Sequence, residues 1–432
     1  MPSISGQRHS CLFDFVHKVG LGKEMSEFKP VIVMILKGYP RISESFISNE
    51  IELLEKSGFT INIVSLCDPA EPFDHKSISR ITAKPLYIPP FSIKGACPLL
   101  LANLTVAVRT PRNYGRALAA LCRKWLRSRS MATVKHLLQA GYVVCHAIFP
   151  NEVSRLHAHF ANSPTSVAQF AHVLTGLPFG FTAHAKDIYV QRPQALQAKL
   201  RMADVVITCT DYNRCHLERL GGVPVHRAYH GIDPLLFAYR GALHPGQNGY
   251  TLLCVADFVE KKGIDTILEA VKRLRDGGAA VVLRHVGQGP LEGAMRQCAC
   301  DLGIAEAVQW LGGLSHEQLC AEYSRADAFV LGCRVAADGD RDGIPNVLAE
   351  SMAVGLPVVA TTTSAIPELV EDGETGLLVA PDAPDELAYA LKTMLTDIAF
   401  REKVIPAARH VIEERFDFRG CFRALEEVFD HA

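Results

Sequence analysis

No stretch of this sequence reaches the roughly 18 consecutive apolar residues that a membrane-crossing helix requires. The longest candidate, Cys97 to Val108, falls short and carries Pro98 and Asn103. The thirteen cysteines include no C-x-x-C pair, and the nearest spacing is Cys298 and Cys300. An odd number without metal spacing reads as reduced, mostly buried thiols of the cytoplasm rather than a zinc site. A charge excess is missing too. Lys and Arg sum to 45 and Asp and Glu to 46, a net −1, which excludes a nucleic-acid binder on overall charge. No export signal is legible, because His9, Asp14, His17 and Lys18 interrupt the first 27 residues. Residues 1–27 read as a loosely ordered extension, with Met25 as a second candidate start.

One absence is local. Between Asp74 and Glu152 there is no acidic residue, while twelve Lys or Arg run from Lys76 to Lys135. Leu99 to Leu101, Leu104, Leu118, Leu121, Trp125 and Leu126 are interleaved with them. Basic, apolar, helix-forming sequence of this kind over residues 75–140 suits a surface that lies on anionic lipid. Each basic group near such a surface contributes about 1 kcal/mol. The alternative is a solvated basic face over a buried apolar side.

What is present is alternation of short apolar strands and helices, set out twice. At 432 residues and 48% hydrophobic content, two packed domains are expected. Val31 to Leu36, Ile61 to Leu66, Leu156 to Phe160, Phe179 to His184 and Asp204 to Cys209 read as strands of a parallel sheet covered on both faces. Ser43 to Gly58 reads as a helix with a Ser cap and a Gly stop. Residues 241–250, rich in Gly, read as a linker. TLLCVA, VVLRHVG, VQWLGG, AFVLG and PVVAT then repeat the pattern. The boundaries are 28–240 for a first α/β domain, 251–410 for a second, and 411–432 for a last helix packing back on the first. Two doubly wound parallel-sheet domains leave a ligand cleft between the carboxyl ends of their strands.

The stretch DGDRDGIPNVLAESMAVGLPVVATTT, Asp338 to Thr363, is the most specific in the chain. Pro345 suits a first helical turn, and the free amides of Asn346 and Val347 favour an anion such as phosphate. Asp342 just outside and Glu350 a turn and a half inside flank that end, which suits a ligand part diphosphate and part polyol. Lys262, after the strand TLLCVA, is placed to reach a diphosphate. Gly287 and Gly289 end the next strand, where a ligand could approach the backbone. Gly38 ends the first strand of the first domain, at the cleft. His157, His159 and His184 lie on or just after strands, and His184 is placed to reach a sugar hydroxyl or the reacting carbon. Asp338, Asp340 and Asp342 also spell D-x-D twice. That pattern holds a divalent metal in a one-domain sugar transferase architecture, but two domains with a lysine and a helix end argue against a metal.

In order along the chain, KGYPRISESFISNEI, HAHFANSPTSVAQF, FTAHAKDIY, YHGIDP, VEKKGIDTILEA, VGQGPL, the Asp338 stretch and IPELVEDGETGLLV resemble glycosyltransferase family 4. The resemblance runs from about Phe28 to Arg415 and is greatest to the bacterial exopolysaccharide subgroup that includes colanic-acid-type enzymes. It implies the GT-B fold, two Rossmann-like domains facing across a cleft. It implies Lys262 on the donor diphosphate, Asp342 on sugar hydroxyls, Glu350 on the nucleotide ribose, and His184 against the donor sugar. A departure is Asp257, where the family usually has arginine five positions before the lysine. An aspartate 4 Å from a phosphate is repelled by about 4 kcal/mol at an effective dielectric near 20. Either Asp257 points away, or Arg284 or Arg341 substitutes, or the donor binds weakly.

The resulting expectation is a retaining, metal-independent hexosyltransferase. A UDP- or GDP-sugar is the donor substrate and no other cofactor is needed. The acceptor is a lipid-linked oligosaccharide, reached from the cytoplasmic face of the plasma membrane, with His157 and His159 on the acceptor side. The rival expectation is a subunit of the same fold that binds and supports an active transferase without catalysing.

Overall fold

The computed structural model describes residues 29–41, 44–69, 80–241 and 249–431. The expected extension 1–27, Ser43, Lys76 and residues 242–248 of the expected linker lie outside these. In the first lobe, β1 (Val31–Leu36), α1 (Ser45–Lys56), β2 (Thr60–Ser65) and the short edge β3 (Leu86–Tyr87) come first. Three consecutive helices follow: α2 (Ile93–Arg109), α3 (Pro111–Ser128) and α4 (Met131–Val143). The lobe continues with β4 (Arg155–His159), α5 (Ser163–Thr175), β5 (Phe179–Ala183), α6 (Ala185–Tyr189), α7 (Pro193–Leu200), β6 (Val205–Thr208), α8 (Asp211–Gly221) and β7 (His226–Arg227). Helix α1 begins behind Glu44, with no side-chain bond to its first turn.

The second lobe holds β8 (Tyr250–Val255), α9 (Ile264–Asp276), β9 (Val281–Val286), α10 (Glu292–Asp301), β10 (Val308–Gly312), α11 (His316–Arg325) and β11 (Ala328–Leu331). Then come α12 (Asn346–Val354), β12 (Val358–Thr361), β13 (Leu377–Val379), α13 (Pro384–Thr396), α14 (Ile398–Arg415) and α15 (Phe418–His431).

The first sheet has the order β3-β2-β1-β4-β5-β6-β7 and the second β10-β9-β8-β11-β12-β13. Every pairing between these strands is parallel. Strand β1 shows why: Ile32, Met34 and Leu36 join one apolar cluster while Val33 and Ile35 join another, so both faces are buried. Each sheet reverses its direction of growth once, between β1 and β4 and between β8 and β11. Such switch points open crevices at the carboxyl ends of the strands.

Two details outside the sheets matter for function. Asn103 Nδ2 donates to Leu99 O at 2.8 Å and Leu138 O at 2.9 Å, and Tyr114 Oη donates to its Oδ1 at 3.2 Å. One buried amide thus ties α2, α3 and α4 together. The other face of α2 leaves Ile93, Leu100, Leu101, Leu104 and Val108 exposed. No helix among the described residues is long and apolar enough to cross a membrane. The second detail is α15, which packs on the first lobe. Leu425 and Phe429 join the cluster of Ile32 and Met34, and Lys29 Nζ meets Glu426 Oε1 at 3.0 Å.

The expectation of mostly buried thiols needs correction. Of the twelve cysteines among the described residues, four are buried and five are exposed. Cys97, Cys122, Cys215 and Cys300 lie on exposed helix positions, and Cys67 lies in the bend after β2.

Candidate active site

The second lobe's switch point gathers its charged residues. Leaving β8, the chain makes one turn through Glu260–Lys262 and starts α9 at Gly263, whose φ is +58°. A Cβ on Gly263 would stand 1.9 Å from Gly332 O, so only glycine lets this turn press on the end of β11. Lys262 Nζ consequently meets Asp342 Oδ2 at 2.6 Å, and Lys261 Nζ meets Asp342 Oδ1 at 3.0 Å. Burial alone would raise the Asp342 carboxyl, but Lys262 and Lys261 hold it down at about 2. Burial likewise works against the Lys262 charge, and Asp342 more than offsets it. Asp340 pairs with Lys261 at 3.3 Å and with Lys186 of the first lobe at 3.5 Å. Three ammonium groups, Lys186, Lys261 and Lys262, surround the Asp340 and Asp342 carboxylates, and Asp257 also acts on Lys262. Of the D-x-D aspartates, Asp340 and Asp342 are paired with lysines, while Asp338 Oδ1 accepts from the Asp340 amide at 2.8 Å.

Beside this cluster, α12 presents its open end. Pro345 is the cap itself, with φ −66° and ψ 124°, one position before the first turn rather than within it. No side chain caps the helix. The amides of Asn346 and Val347 have no acceptor within the helix and carry its positive end. Glu350 accepts from Tyr323 Oη at 2.8 Å, and burial pushes its carboxyl pKa up.

The glycines after β9 have a different reason from the expected one. A Cβ on Gly287 would lie 2.0 Å from Ala256 O, and one on Gly289 would lie 2.8 Å from Phe258 N. Protein backbone, not a ligand, occupies the space these glycines leave. Gly38 does stand at the end of β1, but the Arg41 side chain covers it, 2.9 Å from where a Cβ would be. Asp257 is exposed, and its carboxylate also favours the charged form of Lys262. Neither suggested arginine replaces the family's own. Arg284 forks onto Glu322 at 2.5 and 2.9 Å, and Arg341 lies 4.0 Å over the Tyr189 ring. Lys261, half of a lysine doublet in the sequence, is a further cation beside Asp340 and Asp342.

In the first lobe, His184 closes β5 and starts α6. Its N–H donates to Asp187 Oδ1 at 3.0 Å, while its Nε2 is buried without a partner. Its ring meets Phe46, Phe160 and His230, with centroids at 5.1, 4.8 and 5.3 Å. Burial, then His230, hold it neutral by lowering its pKa well below the usual value. The two other histidines are placed differently from the acceptor-side expectation. His157 is 2% exposed, bonds Thr182 Oγ1 at 2.8 Å and lies under Phe429 of α15. His159 is fully buried and bonds Glu50 Oε1 at 3.1 Å. Being inward-facing residues of a two-faced sheet, both act as core hydrogen-bonders.

The lobes meet across this cleft. Cys209, Tyr229 and His230 of the first lobe share a small cavity with Ile344 and Asn346 of the second. Glu368, just after β12, accepts from the amides of Asp211 and Tyr212 at 2.8 and 2.7 Å, and from Tyr229 Oη at 2.9 Å. A carboxylate of one lobe therefore caps helix α8 of the other. From the sequence, Glu368 and His230 were noted only within IPELVEDGETGLLV and YHGIDP, with no role for either.

Two doubly wound lobes with a cationic cluster and an open helix end at the second switch point define a two-lobed transferase of the GT-B type. Residues 249–397 match the family described as glycosyl transferases group 1. The putative colanic acid biosynthesis glycosyltransferase WcaL of Salmonella typhimurium is 30% identical over 284 residues, covering 63% of this chain and 69% of that one. The amylovoran biosynthesis glycosyltransferase AmsK of Erwinia amylovora is 35% identical over 206 residues, covering 46% and 49%. The solved structure of Anabaena Alr3699/HepE in complex with UDP and glucose shares the fold. Its TM-score is 0.66 at 17% identity, over 93% of this chain and 100% of that one. The chain belongs to the group 1 glycosyltransferases, family 4, and resembles the exopolysaccharide enzymes among them.

Proposed function

We propose that this protein moves a hexose from a nucleotide diphosphate sugar to a lipid-linked glycan in exopolysaccharide synthesis. It does so with retention of configuration and without a metal on the diphosphate. The observation that carries the reading is the cluster of Lys186, Lys261 and Lys262 set beside the uncapped end of α12, where the two lobes face each other. Lys262, Lys261 and the Asn346 and Val347 amides hold the diphosphate. The incoming phosphates displace Asp342 from Lys262, freeing its carboxylate for the sugar hydroxyls. Glu350 leaves Tyr323 to take the ribose. Neutral His184 lies against the hexose and donates or accepts a hydrogen bond there without adding charge. Preorganised cations that stabilise the departing diphosphate are the main source of rate, and closing the lobes excludes water. The UDP and glucose held by the Anabaena relative support a nucleotide sugar.

Residues 28–240 form the acceptor lobe and 251–410 the donor lobe. The exposed apolar stripe of α2, set in the acid-free basic interval, rests on the anionic inner face of the plasma membrane and brings the lipid-linked acceptor to the cleft.

Lys262→Ala tests the scheme. Losing one preorganised charge partner should lower transfer by about 100-fold or more. Unchanged turnover would end the proposal. Asp257, where the family has arginine, favours one second reading, a subunit that binds no donor. Calorimetric titration with UDP- and GDP-sugars that gives no heat for any of them would support it.

A further inference from the structure

Three neighbouring strands of the first sheet deliver one soft ligand each to the same place. β5 ends at His184, β6 runs into Cys209, and His230 follows β7. One ring nitrogen from each histidine and Cys209 Sγ all lie within 4.8 Å of one another. The two imidazoles are stacked, 20° apart. His184 Nε2 is buried and has no hydrogen-bond partner, an arrangement that proteins rarely leave unexplained.

Charge and protonation agree with a cation at this point. Burial lowers the His230 pKa to about 4 and the His184 pKa further below its usual value, so both rings keep their lone pairs at neutral pH. The carboxyl groups facing the trio are Glu50 beside His230, and Glu368 and Asp187 beside Cys209, burial raising the Asp187 pKa to about 7. Burial pushes the Cys209 thiol up to about 12, so it stays protonated until an ion displaces the proton. Two imidazoles and one thiolate suit a tetrahedral ion of borderline softness, with a fourth position left for water or substrate. The cavity that Cys209 and His230 share with Asn346 supplies that opening.

We propose that His184, Cys209 and His230 form a binding site for one zinc-type transition-metal ion on the first-lobe wall of the cleft. Coordination releases the Cys209 proton to solvent and forms one metal–sulfur and two metal–nitrogen bonds, with no change of oxidation state. Because the ion takes the His184 lone pair, it competes with any use of that ring on a sugar. The site thus makes the enzyme sensitive to free zinc. It is separate from the lysine cluster, and its existence does not depend on the donor scheme.

The test is titration of the reduced, metal-free full chain with Co²⁺. One equivalent should bind with a thiolate-to-cobalt absorption band and a tetrahedral visible spectrum, and Zn²⁺ should bleach both. Cys209→Ser should abolish the thiolate band. His230→Asn should weaken binding by more than about 100-fold, since even outer-shell partners of a metal ligand are worth 10 to 100-fold. Circular dichroism checks that both variants are folded. The main competitor is the pair of half-buried Cys320 and exposed His316, 3.6 Å apart on α11, so Cys320→Ser is the control and should leave the band intact. A band that survives Cys209→Ser, disappears in Cys320→Ser or never forms in the native chain would overturn the proposal.

Discussion

A buried imidazole whose two nitrogens have no partners makes folding sensitive to acid. His285 on β9 is such a group, fully buried against Phe258 and Trp310, with ring centroids at 4.2 and 5.4 Å. Burial lowers its pKa from 6.5 to about 4. The unfolded chain takes up a proton as pH falls below 6.5, and the folded chain does not until about 4. Stability is therefore full above 6.5 and is lost as pH falls through that window, by on the order of 3 kcal/mol for this group. His285→Phe, an apolar ring for a ring with no bonds to lose, should flatten the fall in Tm between pH 7 and pH 4.5. An unchanged slope would place the acid sensitivity at other histidines. Lys262, Asp342 and Glu350 were legible in the sequence because a strand end, a charged loop and a proline-led helix each leave local marks. Lys261 was in plain sight but carried no mark distinguishing it from a solvated lysine. The roles of Gly287 and Gly289 were illegible, because the crowding atoms belong to Ala256 and Phe258 some 30 residues earlier in the chain.

Among the described helices, α2 has an outward face more apolar than solvent exposure favours. Its exposed positions 93, 100, 101, 104 and 108 recur at helical spacing, while Leu99, Ala102 and Val106 are buried on the other side. Substituting both Leu101 and Leu104 by Glu should cut binding to vesicles rich in anionic lipid by about tenfold or more, since each removes apolar contact and opposes the lipid charge. Tm should move little, because neither side chain contributes to the core. Equal vesicle binding by the native and doubly substituted chains would remove α2 from any membrane role. The basic interval could be read from composition alone. That it folds as three helices knotted on Asn103 could not, because one polar residue within an apolar stretch reads as a break, not as a tie. The start of α12 shows the precision available for elements: the open amides follow from Pro345, but its place as cap and not first turn depends on a ψ of 124°.

At the scale of the whole molecule, Glu368 is one of the contacts that hold the two lobes in register, beside the packing of α15 and the Lys186–Asp340 pair. Glu368 accepts three hydrogen bonds from the first lobe, and charge-assisted bonds of this kind are worth about 1.5 to 3 kcal/mol each. Arg341, stacked on Tyr189 and bonded to Tyr212 Oη at 3.2 Å, is a second contact across the same gap. Glu368→Gln should increase the radius of gyration measured by small-angle scattering without donor, as the lobes swing apart. An identical scattering curve would mean that other contacts set the spacing. Two parallel sheets were legible from continuous apolar strands between helices, and the reversal of strand order follows from that pattern. The clasp was not, because residues 368 and 211 are 157 positions apart and no periodicity links them. The same separation in sequence governs α15. The first lobe's sheet has Leu425 and Phe429 as part of the cover on one face, and Phe429 also lies over His157. During synthesis the ribosome therefore releases the second lobe's last strand well before it releases the final piece of the first. The half of the protein that begins translation is the half that finishes folding last, and a nascent chain stalled before residue 418 leaves that sheet face covered by α1 alone, without Leu425 and Phe429.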